Sequence, residues 1–120
     1  MGWFSNNKNS KVDWVELTSL HGLDELLSKS ENPILLFKHC TRCSISSMAK
    51  RRLEDDWDLQ DEVTPIYLDL IAYRDVSNEI AERLKVVHQS PQIILVKNGL
   101  VMHHASHNQI SVSEIKTHLI

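Results

Sequence analysis

Two cysteines stand three residues apart, Cys40-Thr41-Arg42-Cys43, at the boundary between two different hydrophobic periods. Before them runs Ile34-Leu35-Leu36-Phe37, a continuous apolar stretch suited to a strand buried on both faces. After them Ile45, Met48, Ala49, Leu53 and Trp57 recur at helical spacing, the stripe of an amphipathic helix of about three turns. A strand buried on both faces needs paired neighbours and a covering layer on each side, which commits a chain of 120 residues to layered α/β packing. The start of a helix carries unpaired N–H groups that favour an anion, and the reactive form of cysteine is the thiolate. A C-x-x-C at such a junction therefore reads first as a thiol redox site.

The remaining pattern supplies the other elements. Trp14-Val15-Glu16-Leu17-Thr18 alternates briefly, as a short edge strand would, and Leu20, Leu23, Leu26 and Leu27 follow at helical spacing until Asn32-Pro33. Pro65 to Ile71 reads as a strand. Val76, Ile80 and Leu84 share a helical face, with Asp75 or Ser77 as its cap. Ile93-Ile94-Leu95-Val96 is a buried strand, Asn98-Gly99 a hairpin turn, and Leu100-Val101-Met102 the return strand. Ser111 and Glu114 have capping-box spacing ahead of Val112, Ile115 and Leu119, a C-terminal amphipathic helix. The order predicts one mixed sheet with helices on both faces, a single α/β domain over residues 1–120 whose first 11 residues form a loosely ordered tail.

Composition excludes several functions. Apolar residues make up 42% and the net charge is −3, so no basic excess points to nucleic acid. The basic run Lys50-Arg51-Arg52 is followed at once by Glu54-Asp55-Asp56 and reads as a solvated helix face. No stretch approaches the roughly 18 apolar residues of a membrane span, and the N-terminus has no long apolar signal region. A cytoplasmic protein is expected, where a C-x-x-C is catalytic or metal-binding rather than a structural staple.

The element order, with Ser90-Pro91 ahead of a buried strand and Lys97-Asn98-Gly99, resembles the thioredoxin fold. That resemblance implies a cis Pro91 facing the redox cysteine, with backbone groups around Ser90 and Pro91 binding a peptide or thiol substrate as an added strand. A narrower match lies in Phe37-Lys38-His39-Cys40-Thr41-Arg42-Cys43-Ser44-Ile45-Ser46, which resembles the YtxJ-type, monothiol bacilliredoxin-like proteins of the bacillithiol redox system. Their signature is close to F-K-H-S-x-x-C-P-I-S. Gln89-Ser90-Pro91-Gln92 and His104-Ala105-Ser106-His107 match further. Two departures stand out: Cys40 replaces the usual serine, and Ser44 replaces a frequent proline. The resemblance implies a thiol–disulfide oxidoreductase that removes bacillithiol or a related low-molecular-weight thiol from client proteins, with that small thiol as co-substrate and no bound cofactor.

Two registers compete for the nucleophile. In the thioredoxin-like C-x-x-C it is Cys40; in the monothiol-like Cys43-Ser44-Ile45-Ser46 it is Cys43. The helical stripe begins at Ile45, which sets Cys43 at the N-cap or first position, whereas Cys40 lies only three residues past Phe37. Cys43 is favoured, with Cys40 as a resolving thiol if the chain turns at Thr41-Arg42. Arg42 is a cation for substrate and thiolate; His39 and Ser46 support the site, Ser46 as a hydrogen-bond donor to the Cys43 thiolate. Asp69 is either a buried proton relay or an outward-facing side chain. His103, His104 and His107 form a polar strand end that can hold the following loop, while His21, His88 and His118 are surface residues. Two other classes stay open: a non-catalytic thioredoxin-fold adaptor, and a zinc or iron–sulfur protein using the cysteines and histidines.

Overall fold

A computed structural model describes residues 12–29 and 31–119, so the expected tail at residues 1–11 lies outside the described residues. The elements are β1 (Val15–Glu16), α1 (Leu20–Lys29), β2 (Ile34–His39), α2 (Ser44–Asp56), β3 (Thr64–Asp69), α3 (Arg74–Leu84), β4 (Gln92–Lys97), β5 (Leu100–Ser106), a 3-10 turn (His107–Gln109) and α4 (Val112–Thr117). They form one five-stranded sheet in the order β1-β3-β2-β4-β5. β3 is parallel to β1 and β2, while β4 is antiparallel to β2 and β5.

β2 is the middle strand, and all six of its residues are buried. Successive side chains of a strand point to opposite faces. Leu35 and Phe37 accordingly enter one core with Ala49, Leu53 and Trp57 of the α2 segment and Val112 and Ile115 of α4. Ile34 and Leu36 enter the other with Leu23 of α1 and Val76 and Ile80 of α3. Trp14 stacks on Phe37 with ring centroids 5.5 Å apart, and its indole N–H donates to Glu54 at 2.7 Å.

Local chemistry accounts for the turns. Asn98 and Gly99 have φ of 54° and 78°, the two left-handed residues a tight hairpin needs to match strand twist. The Ser111 hydroxyl accepts the Glu114 N–H at 3.1 Å and caps α4. β5 is longer than its pattern suggested. A register irregularity at Leu95/Val96 lets the strand run on through His103 and His104 to Ser106.

Three expectations are corrected. α3 starts two residues earlier than an Asp75 cap implied and four earlier than a Ser77 cap. Its N-cap is Tyr73, which makes no side-chain cap bond; Asp75 lies in the first turn and Ser77 is buried. The stripe of α2 holds at Ala49, Leu53 and Trp57, which are buried, but not in its first turn: Ile45 and Met48 are 56% and 65% exposed, and Ser46 is buried there instead. The basic run on α2 is only partly solvated, because Arg52 donates to the carbonyls of His107 and Ile110, both at 2.9 Å.

Lys38, on the α1/α3 side of β2, is fully buried. Its Nζ lies 3.1 Å from the Ser77 carbonyl and 3.1 Å from Nδ1 of His88, which is exposed at the surface as expected. Burial pushes the Lys38 ammonium down to about 8 from its ordinary 10.5. A buried charge replaced by an apolar chain of similar length is often neutral or stabilising. Lys38→Met is therefore expected to raise stability at pH 7 by about 1–3 kcal/mol. Between pH 8 and 10.5 the unfolded state holds the proton that the folded state has lost, so wild-type stability gains with rising pH and the variant's advantage fades. Denaturant unfolding of both proteins across pH 7–10.5 measures this difference, and a constant gap across that range contradicts it.

Among the described residues, no helix is long and apolar enough to cross a membrane.

Candidate active site

The site forms where β2 ends and α2 begins. Pairing of β2 with β3 stops at His39 opposite Asp69, and the His39 carbonyl accepts the Leu70 N–H at 3.1 Å. The chain then reverses over Thr41-Arg42, with the Cys43 N–H donating to the Cys40 carbonyl at 3.2 Å. This turn sets the two cysteine Cα atoms 5.4 Å apart, and their sulfurs are joined as a disulfide.

The two cysteines occupy different environments. Cys40 is only 7% exposed, whereas Cys43 is exposed. Cys43 is the N-cap of α2, with extended φ and ψ of −112° and 124°, and its carbonyl accepts the Ser47 N–H at 3.1 Å. No side chain caps this end, so the first-turn N–H groups and the positive pole of a 13-residue helix face the Cys43 position. Arg42 is exposed on the turn beside it.

Ser46 is fully buried beneath the turn. Its Oγ accepts the Cys40 N–H at 3.0 Å and lies 2.6 Å from His39 Nδ1. The hydroxyl expected to serve Cys43 is thus bonded to the Cys40 backbone and to His39. His39 stacks on Phe37 and tilts against Tyr67, both at centroid distances of 5.5 Å. Burial, aided by the Lys50 charge, holds its imidazole down to about 4, so the ring is neutral near pH 7. Burial, aided by the Asp69 charge, pushes the Tyr67 phenol up to about 12. Asp69 itself closes the turn after β3, its Oδ1 accepting the N–H groups of Ile71 and Ala72 at 3.1 and 3.2 Å.

On the other side of β2, Lys38 pairs with Gln92, so one step along the register brings Pro91 alongside His39. The Ser90–Pro91 peptide is cis. Three contacts fix this loop. His107 Nε2–H donates to the Ser90 carbonyl at 3.1 Å, the His107 N–H donates to the Pro91 carbonyl at 3.1 Å, and Gln92 Nε2 donates to the Val87 carbonyl at 3.0 Å. His107 adopts a left-handed φ of 56° to do so. Lys38, Arg52 and Gln92 were not singled out as site-shaping residues by sequence, and their partners, 39 to 58 residues away for Lys38 and Arg52, are not displayed there. His103 and His118 take no part in the cysteine turn. They stack on each other at 4.2 Å, which makes His118 half-buried rather than a plain surface residue. Among the described residues no group of three or more His, Cys, Asp or Glu side chains is arranged to hold a metal ion.

A vicinal cysteine pair at a strand-to-helix turn beside a cis-proline loop, on a sheet of this order, defines a thiol redox protein of the thioredoxin fold. Solved structures agree. A protein with a thioredoxin fold superposes with a TM-score of 0.78 at 26% identity, covering 88% of this chain and 92% of its own. Oxidised mitochondrial thioredoxin 3 of Saccharomyces cerevisiae gives 0.66 at 17% identity, covering 88% and 92%. Malassezia sympodialis thioredoxin gives 0.69 at 14% identity, covering 92% and 89%. The chain belongs to the monothiol bacilliredoxin BrxC family, whose model matches residues 15–115. A family described as monothiol is here represented by a chain with a second cysteine three residues before Cys43.

Proposed function

We propose that this protein is a thiol–disulfide oxidoreductase that removes bacillithiol, or a related low-molecular-weight thiol, from mixed disulfides on client proteins. The observation that carries this reading is the asymmetry of the pair: Cys43 is exposed at the N-cap of α2 and Cys40 is buried behind it. An incoming disulfide meets Cys43 first, at the position where the helix end favours a thiolate. Arg42 adds a nearby cation for that thiolate and for acidic groups of the small thiol. Ser90 and Pro91 present the edge along which the client backbone lies.

The exchange balances in two steps. The Cys43 thiolate attacks the small-thiol sulfur of the capped client; the new bond joins Cys43 to the small thiol, and the client sulfur leaves as a thiolate that takes up a proton. The Cys40 thiolate then attacks Cys43 Sγ and expels the small thiol, leaving the Cys40–Cys43 disulfide. The two electrons come from the cysteine pair, and a thiol reductant restores it. Clients are capped proteins of the cytoplasm, and no bound cofactor is required.

Exposure of the reduced protein to bacillithiol disulfide, followed by acid quench and mass spectrometry, tests this. A transient bacillithiol adduct on Cys43 that gives way to an internal disulfide is expected. An adduct found only on Cys40, or none with bacillithiol, glutathione or coenzyme A disulfides, overturns the reading.

A further inference from the structure

Cys40 lies beyond the last paired residue of β2, where no sheet bond holds it. It is nonetheless anchored. Its carbonyl is bound by the Cys43 N–H, and its N–H is bound by a hydroxyl on the buried face of α2, that of Ser46. Ser46 is oriented in turn by His39 Nδ1 at 2.6 Å. A hydroxyl offers one donor and two acceptor sites. Ser46 O–H donating to the neutral imidazole while Oγ accepts the Cys40 N–H satisfies all three groups, in a place too dry for water to replace them.

We propose that Ser46 and His39 are positioning residues for the resolving step: they hold the Cys40 backbone so that its sulfur stays within bonding reach of Cys43. This rests on the reading of Cys40 as the resolving thiol. The clamp acts on the second exchange and not the first. Cys43 owes its place to the helix backbone, through its carbonyl and the Ser47 N–H, and needs no side chain of Ser46. The second exchange is intramolecular, and its rate depends on how narrowly the two sulfurs are held. In that step the Cys40–Cys43 bond forms, the bond from Cys43 to the small thiol breaks, and the small thiol leaves as a thiolate that protonates in solvent.

Rapid-quench mass spectrometry of the full chain with glutathione disulfide separates the two rates, because adduct and internal disulfide differ in mass. Ser46→Ala is expected to leave adduct formation within about twofold of wild type and to slow adduct loss about tenfold, the effect of one buried hydrogen bond. Ser46→Thr, which keeps the hydroxyl, restores adduct loss. His39 supplies a second arm should the alanine variant fold poorly. His39→Asn places an acceptor near Nδ1 and resolves close to the wild-type rate, while His39→Phe keeps the ring stack and slows resolution. Adduct loss unchanged in both Ser46→Ala and His39→Phe, or both steps slowed equally, overturns the clamp. Adduct loss at the wild-type rate in Cys40→Ser overturns the resolver reading itself, which keeps the two failures apart.

Discussion

Cys43→Ser is expected to lower removal of a small thiol from a capped client by about 1,000-fold, to the uncatalysed rate. A hydroxyl at the helix N-terminus stays protonated near neutral pH, and an alcohol does not displace sulfur from a disulfide. The loss does not come from unfolding. Cys43 is the N-cap of α2, and serine is among the best residues for that position, its oxygen reaching the N–H two or three residues on. The reduced variant should melt at or above the reduced wild-type temperature while showing no exchange. Release of thiol from a capped client and thermal unfolding, measured on the same preparation, make the comparison. Activity that survives Cys43→Ser and dies with Cys40→Ser reverses the assignment of nucleophile and resolver.

Cys40→Ser should arrest the protein after the first exchange. Cys43 stays exposed and attacks normally, but nothing inside the molecule expels the small thiol it acquires. One equivalent of adduct on Cys43 is therefore expected to accumulate, and turnover should come to depend on free small thiol. The variant restores the serine of the monothiol bacilliredoxin-like signature, so it should behave as a monothiol protein does. The intramolecular route can be faster by orders of magnitude because it replaces an encounter with a held geometry, worth effective molarities of about 10⁵ M or more in well-oriented cases. Turnover with a client in limiting small thiol is expected to fall at least about tenfold, and to recover as small thiol is added. Equal turnover of the two proteins at every small-thiol concentration contradicts a resolving role for Cys40.

Much of this site is legible in a single sequence because it is built from short-range chemistry. The apolar run Ile34 to Phe37 is a buried strand, and the helical pattern places its N-cap at Cys43. Asn98-Gly99 and the Ser111–Glu114 pair each act over two to four residues, so their turn and cap appear where the pattern sets them. The first turn of α2 departs from its apolar stripe for a physical reason. Apolar residues mark the inward face by rule, but here a buried serine takes an inward position because the Cys40 N–H needs an acceptor, leaving Ile45 and Met48 outside. The strand runs past the apolar run to His39, with Lys38 fully buried. The lysine is tolerated because Ser77 and His88, 39 and 50 residues away, accept from it.

The sequence by itself determined the strand–turn–helix unit and the placement of Cys43 at a helix start, since local periodicity sets both, and the motif around Cys43 carried the family resemblance. Only the tertiary structure decided that Cys40 is buried while Cys43 is exposed, that Ser46 serves Cys40 and His39, and that His107 fastens the Ser90–Pro91 loop. Those outcomes depend on which face of a helix meets which strand and on contacts between distant segments. The free energy of burying a polar group depends on the partner it finds, and a linear chain does not display that partner.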